Sequence, residues 1–384
     1  MAGATTYTLK HFDTPLLRFT ADREVASADA QYQVIWVDEN KRQLLPFGLE
    51  CTPEGVKAWV KRRNIPKNRA FADTFLARNG LSANRPLGIL ALSKGLSLDD
   101  CYWVVEEGDG STFDQVNLYD NRISRLLAQV AFTGYGSSVR SSFMSSPEFT
   151  TNGMLPKCWR RIDGRIYLYK GGTTGAANAG FEPFSEYYAA DVAAAIGMDA
   201  VDYGIHRWKG VLCSSCELFT SKTHSFVPVA GIVKEGGWQA VVSECDAMSE
   251  RFREALSDMV AFDALICNTD RHLGNFGFLA DNATNRIVAP APLFDHGNAL
   301  FYQAFGDDWE SSEALASYAE AQKPCLYGDF FDEAARLMTP ATRAKVRKAL
   351  DFHFTRRPAK GFPKKRLIML EHQIRLRAQR LLES

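Results

Sequence analysis

Apolar residues recur at strand-like and helix-like spacings through the first third of the chain without settling into one pattern. Residues 32–37 (YQVIWV) are β-branched and aromatic and predict a strand, residues 53–63 and 69–79 predict helices, and residues 98–105 return to a strand-like run. No recognisable nucleotide loop interrupts this alternation, so the segment reads as a mixed α/β domain of its own. Residues 134–151 (GYGSSVRSSFMSSPEFTT) are rich in Gly and Ser and poor in core residues, which marks a linker or mobile loop and sets a domain boundary near Ser142.

Beyond it, residues 154–159 and 165–170 predict two short strands around an Asp163-Gly164 turn, a strong hairpin signal. A Gly-rich stretch at 171–180 leads into a helix at 184–196, with Ser185 near its start and Gly197 as its C-cap, and strands follow at 210–220 and 226–233. Phe252, Leu256, Met259 and Phe262 fall at helical spacing within residues 247–267. Strands at 275–279 and 286–288 are joined by a turn at 281–285, and from about Ser311 the pattern is helical with breaks at Pro324, Pro340, Pro358 and Pro363. The expected class is α+β, in a bilobal arrangement. Residues 1–142 form an N-terminal mixed α/β domain, 143–232 a small lobe of antiparallel strands with one helix, and 233–384 a larger, mainly helical lobe ending in a basic helix.

Composition changes this picture little. A chain of 384 residues exceeds what one core usually serves, and 46% hydrophobic with 23% charged residues is the balance of a packed globular protein. Lys plus Arg and Asp plus Glu are 45 each, so no net field draws the whole molecule to nucleic acid or membrane. The first residues lack a signal peptide's basic and apolar regions, and no apolar run is long enough to span a bilayer; the expectation is a cytoplasmic protein without a membrane partner. Eight cysteines are scattered, mostly inside apolar strings, and read as buried reduced thiols; Cys213 and Cys216 are close but lack the second pair that a zinc site needs.

The densest cluster of reactive side chains is NTDRHLGN, from Asn268 to Asn275. Asp270 and Asn275 have the separation of the base and the metal-ligating Asn in the kinase loop H-R-D-x-x-x-x-N. Phosphoryl transfer needs a carboxylate to orient the attacking hydroxyl and take its proton, and an amide oxygen to hold Mg²⁺ against the phosphates being separated. After a hairpin, PLFDHG supplies Asp295 followed by Gly297, where kinases carry Asp-Phe-Gly; Asp295 is the second expected metal ligand. Upstream, Lys170 ends the apolar strand IYLYK and Glu186 lies in the following helix, the order in which kinases place a phosphate-neutralising Lys and the carboxylate that pairs with it. The turn TTNGMLPK holds Gly153, whose backbone could approach phosphates, and Lys157, which adds charge; it is no Walker A loop.

Gly153, Pro156, Lys157, Lys170, Glu186, the CELF segment ending at Phe219, TDRHLGNF and LFDHG, in this order, resemble HipA-type serine/threonine kinases over about residues 150–354. The resemblance implies Asp270 as catalytic base, Asn275 and Asp295 on Mg²⁺, Lys170 on the ATP phosphates, and Glu217 and Phe219 in a hinge meeting adenine. It implies autophosphorylation of Thr150, which stands where the family has Ser, and more weakly a helix-turn-helix antitoxin as partner. The segment before Ser142 does not carry the look of the family's N-terminal domain. Two other readings stay open. The same loop is similar to the Asp-Arg-His-x-x-Asn loop of phosphoinositide kinases, in which the residue matching His272 lies beside the transferred phosphate, so the substrate is either a protein or a lipid. The basic stretch RRPAKGFPKKR and the helix after it, with Leu367, Leu370, Ile374 and Leu381 on one side, either dock on the large lobe or contact nucleic acid.

Overall fold

The computed structural model describes residues 4–22, 30–136, 145–175 and 180–383. It contains two compact units: Met1–Lys170 with Leu218–Val227 and Leu279–Val288, and Gly171–Glu217 with Pro228–Phe278 and Ala289–Ser384. This is a different division from the three segments read in the sequence, whose boundary near Ser142 lies outside the described residues.

Unit one opens with β1 (Ala4–His11), β2 (Thr14–Asp22) and β3 (Tyr32–Val37), which form an antiparallel sheet with β4 (Tyr102–Glu106) in the order β3-β2-β1-β4. Inward residues of β1 and β2, including Tyr7, Leu9, Leu17 and Phe19, share one core with Val56, Trp59 and Val60 of α1 (Pro53–Arg62) and Leu87 and Leu90 of α3 (Pro86–Ser93). A second core joins Phe75 and Leu76 of α2 (Ala72–Arg78), Ile89 and, from α5 (Arg125–Thr133), Leu127 and Val130 to Phe149. Thr52 and Ser124 start α1 and α5 by accepting from the amides of Gly55 and Leu127. A short helix, α4 (Phe113–Val116), leads into a third core that holds Trp103, Phe113, Trp159 and Ile166. The last two come from β5 (Lys157–Ile162) and β6 (Arg165–Gly171), a hairpin closed by Asp163 and Gly164, both with positive φ as its two-residue turn requires. These shared cores carry unit one through Lys170.

The expectation of a loose linker at 134–151 fails where the structure describes it. Pro147–Phe149 is a 3-10 turn in which all three residues are buried, and Phe149 packs its ring 4.8 Å from that of Phe75. Residues 137–144 lie outside the description.

Unit two begins with α6 (Glu182–Ile196), ended by Gly197 in the left-handed region as expected. A hairpin follows, β7 (Tyr203–Trp208) and β8 (Val211–Glu217). β7 escaped the sequence reading because only its end residues are buried. β9 (His224–Pro228), which belongs to unit one but for its last residue, precedes two helices of unit two, α7 (Gly237–Met248) and α8 (Glu250–Ile266), separated at Ser249, so the helix expected over 247–267 is shorter and has a separate neighbour. β10 (Gly277–Asp281) and β11 (Arg286–Pro290), which belong mostly to unit one, flank the predicted turn, where Asp281 accepts from the amide and hydroxyl of Thr284 at 2.8 and 2.7 Å.

The tail is α9 (Ser312–Glu320), α10 (Phe330–Leu337), α11 (Pro340–Arg347) and α12 (Lys364–Glu383). Helix α12 buries Leu367, Leu370, Ile374 and Leu381 as the spacing predicts, and packs against α8, α9, α10 and α11. Its basic residues are largely used internally: Arg366 stacks over Phe181 and Trp309 at 4.8 and 4.5 Å, Arg375 donates to the Phe352 carbonyl, and Arg380 pairs with Glu320. Arg377 is buried against Phe330 and Phe331 and donates to the Ala264 carbonyl. The docked helix is therefore the account that the packing favours. No helix among the described residues is long and apolar enough to cross a membrane.

Truncating Phe149 should destabilise the protein by about 3–5 kcal/mol, since a fully buried ring leaves a cavity. The exposed Ile368→Ala should stay within about 0.5 kcal/mol of the parent. Denaturant unfolding of both variants checks this; a neutral Phe149→Ala would mean that residues 145–151 are the loose linker after all.

Candidate active site

The loop that follows α8 starts at Cys267, which adopts φ +52 and donates its amide back to the carbonyl of Asp263. That left-handed residue ends the helix and turns the chain, so that residues 268–275 form a compact crossing rather than another helical turn. Inside it, the Asn275 side-chain amide donates to the Asp270 carbonyl at 3.3 Å, and the Asn275 main-chain amide donates to the His272 carbonyl at 2.9 Å. The Asp270 carboxylate is exposed and accepts from Asn298 at 2.7 Å. Asn275 is buried; with its nitrogen turned to Asp270, its oxygen is the atom that a cation would use. His272 is exposed, and its Nδ1 accepts from the Gly274 amide at 3.1 Å.

What holds this loop is a residue that no motif assignment included. Arg271 is fully buried, and its guanidinium forks onto Asp263 of α8, Nε to Oδ2 at 2.9 Å and a terminal nitrogen to Oδ1 at 2.8 Å. The other terminal nitrogen donates to the carbonyls of Asn275 and Phe294, at 2.9 and 2.6 Å. Asn268 adds a further bond to Asp263 at 3.0 Å. Burial works to lower the pKa of Arg271, but the charge and hydrogen bonds of Asp263 outweigh it and the net shift is upward. One ion pair thus fastens the loop of Asp270 and Asn275 to the segment that carries Asp295. A signal existed in the sequence: an Asp inside the apolar string AFDALI needs a buried partner.

Asp295 itself has φ +59, and Leu300 and Phe301 are also left-handed. Such backbone strain persists only where surroundings enforce it. Here the Asp295 amide donates to the Tyr203 hydroxyl at 3.0 Å, the Leu293 carbonyl accepts from Val201 at 2.8 Å, Leu300 donates to the Ile266 carbonyl at 2.7 Å, and Ser185 of α6 donates to the Ala299 carbonyl. Burial first, then the charges of Glu186 and Asp295 among others, push the Tyr203 phenol well above its ordinary pKa, so it stays protonated. Glu186, buried in α6, accepts from the Ser214 hydroxyl of β8. Unit two therefore ties Asp270, Asn275 and the backbone at Asp295 into one bonded framework, and Glu186 lies buried in the same unit.

The remaining expected residues fall in unit one, apart from Glu217, the exposed last residue of β8 in unit two. Lys157 and Lys170 are directly opposed across the β5–β6 hairpin and both are buried. Gly153 has φ +93, and a Cβ there would collide with the Lys157 ammonium. A glycine that clears space under a lysine, beside a second lysine, suits anionic oxygens. Phe219 stacks edge-on with Phe226 at 5.7 Å. Thr150 is buried, its hydroxyl donating to the Leu96 carbonyl at 2.7 Å. Among the described residues no group of three or more His, Cys, Asp or Glu is placed to hold a metal ion.

No protein-family model matches the chain. The serine/threonine-protein kinase CtkA of Helicobacter pylori is 28% identical over 154 residues, 36% of this chain and 46% of that protein, so the chain spans less than half the length of this relative. The crystal structure of the H. pylori proinflammatory kinase CtkA matches with a TM-score of 0.50 at 17% identity, over 61% of this chain and 90% of that one. HipA of Shewanella oneidensis MR-1, solved in a toxin–antitoxin complex with HipB and operator DNA, matches with a TM-score of 0.55 at 13% identity, over 98% of this chain and 97% of that one. The expected α+β kinase-like fold, and the resemblance to HipA read from the motifs, are borne out in architecture. The HipA match covers 98% of this chain and so extends in fold into the segment before Ser142, which carries none of the motif residues.

Asp263→Asn leaves the Arg271 charge buried without its partner and should cost about 3–5 kcal/mol. Replacing both residues by apolar ones, Asp263→Leu with Arg271→Met, should cost less than the single change. Equilibrium unfolding of the three proteins measures this, and a single variant within about 1 kcal/mol of the parent would refute the pair's role.

Proposed function

We propose that the chain is a serine/threonine protein kinase of the HipA type, which transfers the γ-phosphoryl group of ATP to protein hydroxyls with Mg²⁺. The observation that carries this reading is the bonded loop in which Asp270 and Asn275 are held to each other and, through Arg271, to the backbone next to Asp295. Asp270 is exposed, so a substrate hydroxyl can reach it, and Asn298 fixes one carboxylate oxygen while the other takes the proton. His272 beside it is a second group facing solvent. Asn275 and Asp295 are the oxygens for Mg²⁺, which when bound neutralises charge on the separating phosphates.

Gly153, Lys157 and Lys170 are the phosphate-binding residues in this reading, with Glu186 as the helix carboxylate and Glu217 and Phe219 beside adenine. Kinase similarity to CtkA supports the activity, and the HipA likeness makes a HipB-like partner the corresponding proposal for assembly. The internal use of the C-terminal arginines gives nucleic-acid contact by this chain no support of its own.

Asp270→Asn should reduce phosphoryl transfer by at least about a hundredfold while ATP still binds, because proton acceptance is lost and side-chain size is kept. Asp295→Ala should instead lose the Mg²⁺-dependent part of nucleotide affinity. Isothermal titration with and without Mg²⁺, beside a transfer assay, separates the two; near-parental turnover in either variant would remove that residue from the site.

Autophosphorylation at Thr150 belongs to the same proposal. The hydroxyl is packed against Leu96, so transfer requires residues 147–151 to leave that packing, and a phosphate of about −1.5 to −2 charges would keep them out. Mass mapping should find phosphate on Thr150 only in catalytically competent protein, and Thr150→Glu should raise the Kd for ATP. No phosphate between residues 145 and 151 in active protein would sink the idea.

A further inference from the structure

The segment from Phe149 to Lys157, which contains Thr150 and Gly153, is held within unit one by a short stretch between α1 and α2. The amide of Ile65 donates to the Phe149 carbonyl at 2.7 Å, and that of Ala70 to the Met154 carbonyl at 2.8 Å. Between them stands Arg69, whose side chain is completely buried. One terminal nitrogen donates to the carbonyls of Glu148 and Thr151, at 3.3 and 3.2 Å, and the other to the carbonyl of Lys157. The Glu148 carboxylate lies 3.5 Å from that second nitrogen and is itself fixed by the Trp159 amide at 2.8 Å.

A guanidinium is the one side chain that can span three carbonyls in a plane. Two of those carbonyls, of Glu148 and Thr151, precede the turn at Gly153 and the third, of Lys157, follows it, so their separation sets the arc on which Gly153 and the Lys157 ammonium lie. We propose that Arg69 is a positioning residue for nucleotide binding, a staple from the N-terminal region that holds the Gly153 turn in the shape that receives phosphate. The inference rests on the kinase reading and extends it, because it makes the α1–α2 connection a working part of the ATP site. An ordinary buried ion pair would need only Glu148; the fork onto main-chain oxygens on both sides of Gly153 is what shapes the turn.

The test compares the full chain with Arg69→Lys, which keeps the charge beside Glu148 but cannot span the carbonyls, and with Glu148→Gln, which keeps the carbonyl bonds. Arg69→Gln is run alongside in case the lysine variant does not fold. Two readings are taken: hydrogen exchange at the amides of residues 150–157 without nucleotide, and KM for ATP against kcat. Either Arg69 variant should exchange faster in that segment and raise KM for ATP about tenfold with kcat within about twofold, because a disordered turn weakens binding before it affects chemistry. Glu148→Gln lowers global stability, as losing the partner of a buried guanidinium does, but should match the parent in both readings because the bonds to the carbonyls remain. Unchanged exchange in folded Arg69 variants overturns the staple whatever the enzyme's activity, as does a KM change that Glu148→Gln reproduces. A parent protein that binds no ATP overturns the kinase reading itself, and the nucleotide role of Arg69 with it.

Discussion

The candidate active site depends on one buried charge pair. Arg271 and Asp263 satisfy each other's hydrogen-bonding groups in a fully buried place, and of the three donors left on Arg271 two reach the carbonyls of Asn275 and Phe294 and one faces the Nδ1 of His296. Taking two charges out of water is expensive, and such a pair is weak evidence for net stability. Its worth lies in geometry. The proposed base and the two proposed metal ligands stand on separate stretches of chain, and a planar fork with five donors is what can lock both stretches to one helix. The strained backbone at Asp295 is tolerable only because Tyr203, Ser185 and the Ile266 carbonyl tie down its neighbours.

A second buried arginine, paired with Glu148, performs the analogous task in unit one. Arg69 organises the turn that bears Gly153 through main-chain carbonyls, and burial pushes the carboxyl of its neighbour Glu148 up to about 7, with Arg69 opposing the shift. In both places a charged residue inside an apolar setting marks where main chain with no regular partner must be held. These pairs also explain why residues 145–157 behave as packed structure despite a composition that suggests a linker.

Local structure was more legible in the sequence than long-range pairing. The hairpin at Asp163-Gly164, the helix ending at Gly197, the turn at Asp281 and the apolar face of α12 each follow from local rules that the structure obeys. Asp270, Asn275 and Asp295 could be singled out because a reactive spacing survives where fold signals do not. The strands β1 and β2 and the strand β7 were missed since their burial depends on partners far away in sequence, and periodicity carries no record of those. Arg271, Asp263 and Arg69 were missed for a related reason: a supporting residue is defined by what it touches in space. The placement of Ser249 between two helices likewise owes nothing to a breaker residue.

The account turns on phosphoryl transfer to protein. The most direct measurement incubates the purified chain with Mg²⁺ and ATP labelled in its γ-phosphate, offering protein substrates and phosphoinositide vesicles in parallel, with Asp270→Asn as the matched control. The account predicts label on serine or threonine of protein, absent without Mg²⁺ and absent in the variant. Label on lipid alone, or equal labelling by the parent and the Asp270 variant, would contradict it.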